Sequence, residues 1–129
     1  MVAVHAYPKD VGLSKIAEDF IATVLRSIPD AREGVVMTTA PAPYRRIDCD
    51  ARALIYVRMR PKKTMVRVDI SGLWASVTTP GPWSELLLRA STGPALILRH
   101  FSDVPAAVAY LQACVELTRQ QQRAALKAV

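Results

Sequence analysis

The sequence predicts an α+β fold, an antiparallel sheet of four or five strands with an N-terminal and a C-terminal helix packed on one face. Three observations predict it. Apolar residues recur at helical spacing near both ends of the chain, from Leu13 to Ile28 and from Ser102 onward. Between them lie short runs rich in Val, Ile and Tyr that alternate with period two. Turn formers, not crossover helices, separate these runs, so neighbouring strands should pair antiparallel.

The stretch from Ala51 to Ile70 (ARALIYVRMRPKKTMVRVDI) constrains the sheet most. In its first run Ala51, Ala53, Ile55, Val57 and Met59 share one face, and Arg52, Leu54, Tyr56, Arg58 and Arg60 the other. In the second run Val66, Val68 and Ile70 point one way and Met65, Arg67 and Asp69 the other. A hairpin about Lys62-Lys63 sets Met59 opposite Val66, Val57 opposite Val68 and Ile55 opposite Ile70. A slip of one residue would put aliphatics opposite charges. The same register places Arg58 opposite Arg67 and Tyr56 opposite Asp69. Facing like charges cost roughly 0.2–1 kcal/mol unless an anion or a nearby acid lies between them.

The remaining elements follow in order. Val2 to Tyr7 fits an edge strand or an untethered tail equally well. Leu13, Ile16, Ala17, Phe20, Ile21, Val24 and Ile28 form the apolar stripe of the first helix, with Asp10 as its N-cap and Pro29 ending it. Asp30 to Gly34 reads as a turn, Val35 to Thr39 as a short strand, and Pro41 to Arg46 as a stiff loop carrying Tyr44. Trp74 and Trp83 stand beside Gly/Pro breaks, where plugging the edge of the core is favoured over display on a binding surface. Glu85 to Ala90 and Ala95 to Phe101 are two more strands, and a four-residue turn between them would pair Leu87 with Leu98 and Glu85 with His100. Ser102 or Asp103 caps the last helix, Pro105 lies in its first turn, and Val104, Val108, Leu111 and Val115 define its buried stripe. Beyond Leu117 the composition turns polar, so the helix runs on into solvent or against a partner.

A chain of 129 residues fits a single globular domain, 1–129, that needs no staples. Hydrophobic residues make up 51% and charged residues 22%, which suits a packed core and not a disordered chain. The two cysteines, Cys49 and Cys114, are far apart in sequence and form no CxxC, so they read as free thiols in a reducing compartment. The N-terminus lacks signal-peptide features and no apolar stretch is long enough to span a bilayer, which predicts a soluble, cytoplasmic protein without a membrane partner.

Net charge is +6, and Arg outnumbers Lys by 12 to 5. Arg suits flat, bidentate contacts to phosphate or carboxylate, although a GC-rich genome produces the same enrichment. Eight of the 17 basic residues fall between Arg45 and Arg67. The candidate binding residues are Arg45, Arg46, Arg58, Arg60, Lys62, Lys63 and Arg67, with Tyr56 interleaved. A sheet face of this kind can track phosphates and stack a base. The expected function is therefore a non-enzymatic binding protein for an anionic partner, nucleic acid first. The alternative is an interaction or assembly module that meets an acidic protein surface or self-associates as a homodimer through the same face or the last helix, Arg and Tyr being common interface anchors.

Catalysis has little support. His5 and His100 have no evident partner, two histidines and two dispersed cysteines do not make a metal site, and no glycine-rich phosphate loop occurs. Asp48 and Asp50 are better explained as solvated than as a catalytic pair, and carboxylates beside Cys49 raise its thiol pKa, which disfavours a nucleophile. No cofactor is expected. A pocket walled by Trp74 and Trp83 is a third option.

Overall fold

The computed structural model describes residues 8–37, 43–91 and 93–128. The expected strand Val2 to Tyr7 lies outside them, as do Thr38 and Thr39. The described residues form helix α1 (Pro8–Ser27), strands β1 (Ala31–Met37), β2 (Tyr44–Cys49), β3 (Arg52–Arg60), β4 (Met65–Ile70), β5 (Leu87–Ala90) and β6 (Gly93–Leu98), and helix α2 (Val104–Ala128). The fold is α+β, and its antiparallel sheet has six strands, not four or five, in the order β1-β2-β3-β4-β6-β5. The additional strand is β2, from residues expected to be irregular, and β1 begins earlier than expected. Ala31 to Gly34 is strand, not turn, because the reversal is made tightly by Asp30 with φ 68°. Tyr44, Arg45 and Arg46 belong to β2, not to a loop.

Both helices lie on one face. Leu13, Ile16, Ala17, Phe20, Ile21, Val24 and Ile28 of α1 and Val104, Ala107, Val108, Leu111 and Val115 of α2 form one buried cluster with Ile47, Ile55, Val57, Val66, Val68, Ile70, Leu96 and Leu98 of the sheet. α1 begins at Pro8, so Asp10 lies inside the helix and is not its cap. At the start of α2 the Asp103 carboxylate accepts hydrogen bonds from the backbone N–H groups of Arg99 (2.8 Å) and His100 (3.0 Å), which ties the end of β6 to the helix. The last ten residues of α2 carry no buried side chain, as the polar composition there leads one to expect.

The central hairpin has the expected register, with Met59 opposite Val66, Val57 opposite Val68, Ile55 opposite Ile70 and Arg58 opposite Arg67. Its turn is longer, a single 3₁₀ turn at Pro61–Lys63 followed by Thr64 in the left-handed region. The other pairing differs from expectation. Leu87 faces Leu96, not Leu98, and Ala90 faces Gly93, which leaves two residues between the strands; Gly93 itself opens β6 at φ 113°, a backbone angle that favours glycine. Between β2 and β3, Asp50 and Ala51 both have positive φ (53° and 61°) and close a two-residue hairpin.

The segment between β4 and β5 closes the open end of the core. Trp74 is 3% exposed and its indole N–H donates to the Ala53 carbonyl at 2.8 Å. Trp83 packs on Tyr110 with centroids 5.5 Å apart, and the Tyr110 hydroxyl donates to the Val77 carbonyl at 3.2 Å. The tryptophans thus plug the end of the core.

Candidate anion-binding face

Strand alternation decides which basic residues can reach solvent together. On the face away from the helices stand Arg32 of β1, Tyr44, Arg46 and Asp48 of β2, Tyr56, Arg58 and Arg60 of β3, and Met65, Arg67 and Asp69 of β4. β6 adds Ala95 and Ile97. Met65, Ala95 and Ile97 are buried yet lie outside the helix-side cluster, in register with Arg60, Asp69 and Arg67 respectively. Among the described residues, no helix packs on this side.

Two arginines of the basic stretch are absent from it. Arg45 stands opposite Val57 and faces the helices, where it is ion-paired with Glu18 of α1 and Glu33 of β1. The hydrogen bond with Glu18 is the main reason that the Glu18 carboxyl is held below, and the Arg45 guanidinium above, the ordinary range. Arg52 was assigned to the outer face by alternation, but the register between β2 and β3 slips by one between Ile47 and Asp48, so β3 carries one extra residue. Leu54 and Ile55 are then both buried in the core, and Arg52 turns back to lie 4.4 Å over the Trp74 ring.

Of the remaining candidates, Arg46 pairs with Asp48 at 2.8 Å, and that contact chiefly accounts for its raised pKa. Arg58 and Arg67 share one acid. Arg58 Nη1 donates to Asp69 Oδ2 at 2.6 Å, and Arg67 Nε donates to Asp69 Oδ1 at 3.0 Å. The condition for tolerating Arg58 opposite Arg67 is therefore met by a nearby acid. Arg60, Lys62 and Lys63 have no ion pair among the described residues.

Between these groups the face is concave. A depression of about 540 Å³ is lined by Tyr56, Arg58, Arg60, Arg67, Asp69, Ile70, Ser71 and Gly72. Three guanidiniums against one carboxylate leave it cationic. Tyr56 is braced edge-on by Tyr44 with centroids 5.3 Å apart, and the Arg58 guanidinium lies 5.4 Å from the Tyr44 centroid. Tyr44, expected in a stiff loop, is not among the candidate binding residues; its position two residues before Arg46 in β2 is the signal that puts both on one face.

The other chemistry-bearing groups are withdrawn. Cys49 and Cys114 are free and buried, and burial is the leading cause that raises both thiols, with Asp50 adding to it at Cys49. Arg119 of α2 reaches across to Asp50 Oδ1 (3.2 Å) and the Pro29 carbonyl (3.3 Å), which pins two tight turns together. Among the described residues no group of three or more His, Cys, Asp or Glu could hold a metal ion, and no helix is long and apolar enough to cross a membrane. Comparison with family models, with curated proteins and with solved structures finds no match to this chain.

Proposed function

We propose that this chain is a small non-enzymatic binding protein whose helix-free sheet face receives an anionic partner, nucleic acid being the leading class. The observation that carries the reading is the shared acid: Asp69 satisfies one donor of Arg58 and one of Arg67, and Arg60 adds a third guanidinium to the same depression. The contact set is narrower than the sequence suggested. Arg45 is spent on α1 and β1, and Arg46 is balanced by Asp48, which leaves Arg58, Arg60 and Arg67 in the depression and Lys62 and Lys63 at the hairpin tip. With the two thiols free and buried, a reducing compartment such as the cytoplasm suits the protein.

Phosphate contacts release counterions, so the salt dependence of binding tests the reading. About three such contacts predict an affinity loss of roughly 20- to 40-fold between 50 and 200 mM salt for mixed-sequence oligonucleotides in an anisotropy titration. Absence of binding at low salt would dismiss it. One observation favours a protein partner instead. Ala95 and Ile97 of β6 form an apolar margin of this face, and Leu88, across from Ala95, is 41% exposed. An interface centred there would be weakly salt-dependent, and a self-associating form would appear as a dimer in size-exclusion chromatography with light scattering.

A further inference from the structure

We infer that the depression accepts one nucleotide of a single strand, its phosphate against Arg60 and Arg67 and its ring against Tyr56. This rests on the anion-binding reading and names the substrate class for the same site. Asp69 takes Arg67 only through Nε, so both terminal amino groups of Arg67 lack a partner among the described residues, as does the whole Arg60 guanidinium. Those are the edges that grip a phosphate oxygen pair, and Asp69 serves to hold the Arg67 plane in place. Tyr56 lines the same depression and is fixed by its contact with Tyr44, so its ring is already positioned when a base arrives. The volume, about 540 Å³, lies within the range of about 300–1,000 Å³ typical of small-molecule sites.

The width of the cationic strip selects the single strand. Toward β2 it ends at the neutral Arg46–Asp48 pair, and toward β6 at Ala95 and Ile97. Around the depression the unbalanced charge lies on β3 and β4, a strip about 10 Å across at the usual strand spacing, while Arg32 stands apart from it on β1, beyond Asp48. A strip of that width accommodates one backbone and not the two of a duplex. A duplex also keeps its bases stacked inside, whereas a ring on Tyr56 must be unstacked. Beyond Arg60, Lys62 and Lys63 add positive charge at the hairpin tip, and nothing lies within 4 Å of where a Cβ on Gly72, which also lines the depression, would sit.

The test uses the full chain with fluorescein-labelled mixed-sequence 12-nucleotide single strands, DNA and RNA, and the corresponding 12-base-pair duplex. Single strands should bind at least tenfold more tightly than duplex. Tyr56→Ala should weaken single-strand binding by roughly tenfold, the scale of one lost base stack, with under twofold effect on duplex. Tyr56→Phe should bind like the parent, and Arg60→Gln, which keeps much of the stem and breaks no ion pair among the described residues, should weaken the single strand whether or not Tyr56→Ala folds. Equal binding of both forms, or single-strand affinity indifferent to Tyr56→Ala and Arg60→Gln, overturns the inference and leaves anion binding standing. Failure of every oligonucleotide to bind at low salt overturns both.

Discussion

Asp69→Asn removes one charge while preserving shape, and the geometry around it sets the size of the effect. Its carboxylate joins Arg58 at 2.6 Å and Arg67 at 3.0 Å, and these two arginines face each other directly across the β3–β4 ladder. All three side chains are 20–29% exposed, so water screens the pairs only in part. Exchanging a charge-assisted hydrogen bond for a neutral one costs about 1 kcal/mol, twice over. Unmasked repulsion between the guanidiniums adds roughly 0.2–1 kcal/mol, and residual solvation offsets a similar amount. The expected loss is about 2 kcal/mol, a midpoint shift near 1 M in urea denaturation for a slope of about 2 kcal/mol per M. Inorganic phosphate should then restore stability to the variant more than to the parent, because it occupies the place of the lost carboxylate. At ten times its dissociation constant it contributes about 1.4 kcal/mol, measured against sodium chloride of equal ionic strength. A variant within 0.5 kcal/mol of the parent, or equal stabilisation of both by phosphate, would refute the account of Asp69 as the anion between two opposed arginines.

Two further substitutions probe the frame that positions this face. Ala51→Gly should stabilise the protein by about 0.5–1 kcal/mol in the same assay, since Ala51 sits at φ 61° in a two-residue hairpin where a Cβ costs about 1–2 kcal/mol and the added chain entropy of glycine returns part of it. Tyr110, fully buried and donating to the Val77 carbonyl, has its pKa pushed up by burial from 10 to about 12. The folded state therefore holds the proton longer than the unfolded chain, and stability intact below pH 10 should fall by roughly 2–3 kcal/mol as pH rises through 12. Tyr110→Phe should flatten that decline in urea titrations between pH 9 and 12, and an unchanged slope would point to another group.

The parts of this architecture that were legible in the sequence are those where one face is apolar throughout. Helix α1 and the β3–β4 hairpin came out with the right stripe and register because any shift would bury a charge. The Leu87–Leu96 pairing was misread because both runs hold three consecutive large apolar residues, so a shift of two residues keeps the same faces and alternation has nothing to say. Arg52 was misplaced for a different reason. A bulge inverts parity without leaving a mark in composition, and Leu54 followed by Ile55 looks like ordinary strand until both are found in the core. For Arg45 the partners lie 27 and 12 residues away, at Glu18 and Glu33, and no local pattern reports an ion pair at that separation.

That distinction bears on how the arginines of the outer face are understood. A six-stranded sheet has two faces to cover, and the two helices of the described residues cover one. On the other, buried Met65 stands opposite Arg60 and buried Ile97 opposite Arg67, where a long arginine stem can add packing as well as charge. Loss of stability on truncating either arginine would thus follow even if nothing ever bound there. Binding and packing separate only when the charge is changed and the stem is kept. Arg67→Lys retains a positive charge and a long aliphatic stem but loses the flat donor edge, and Arg60→Gln keeps much of the stem but loses the charge. If the face exists to stay dry, both variants behave like the parent toward phosphate; if it exists to receive an anion, both lose phosphate stabilisation while their urea midpoints in its absence stay close to that of the parent.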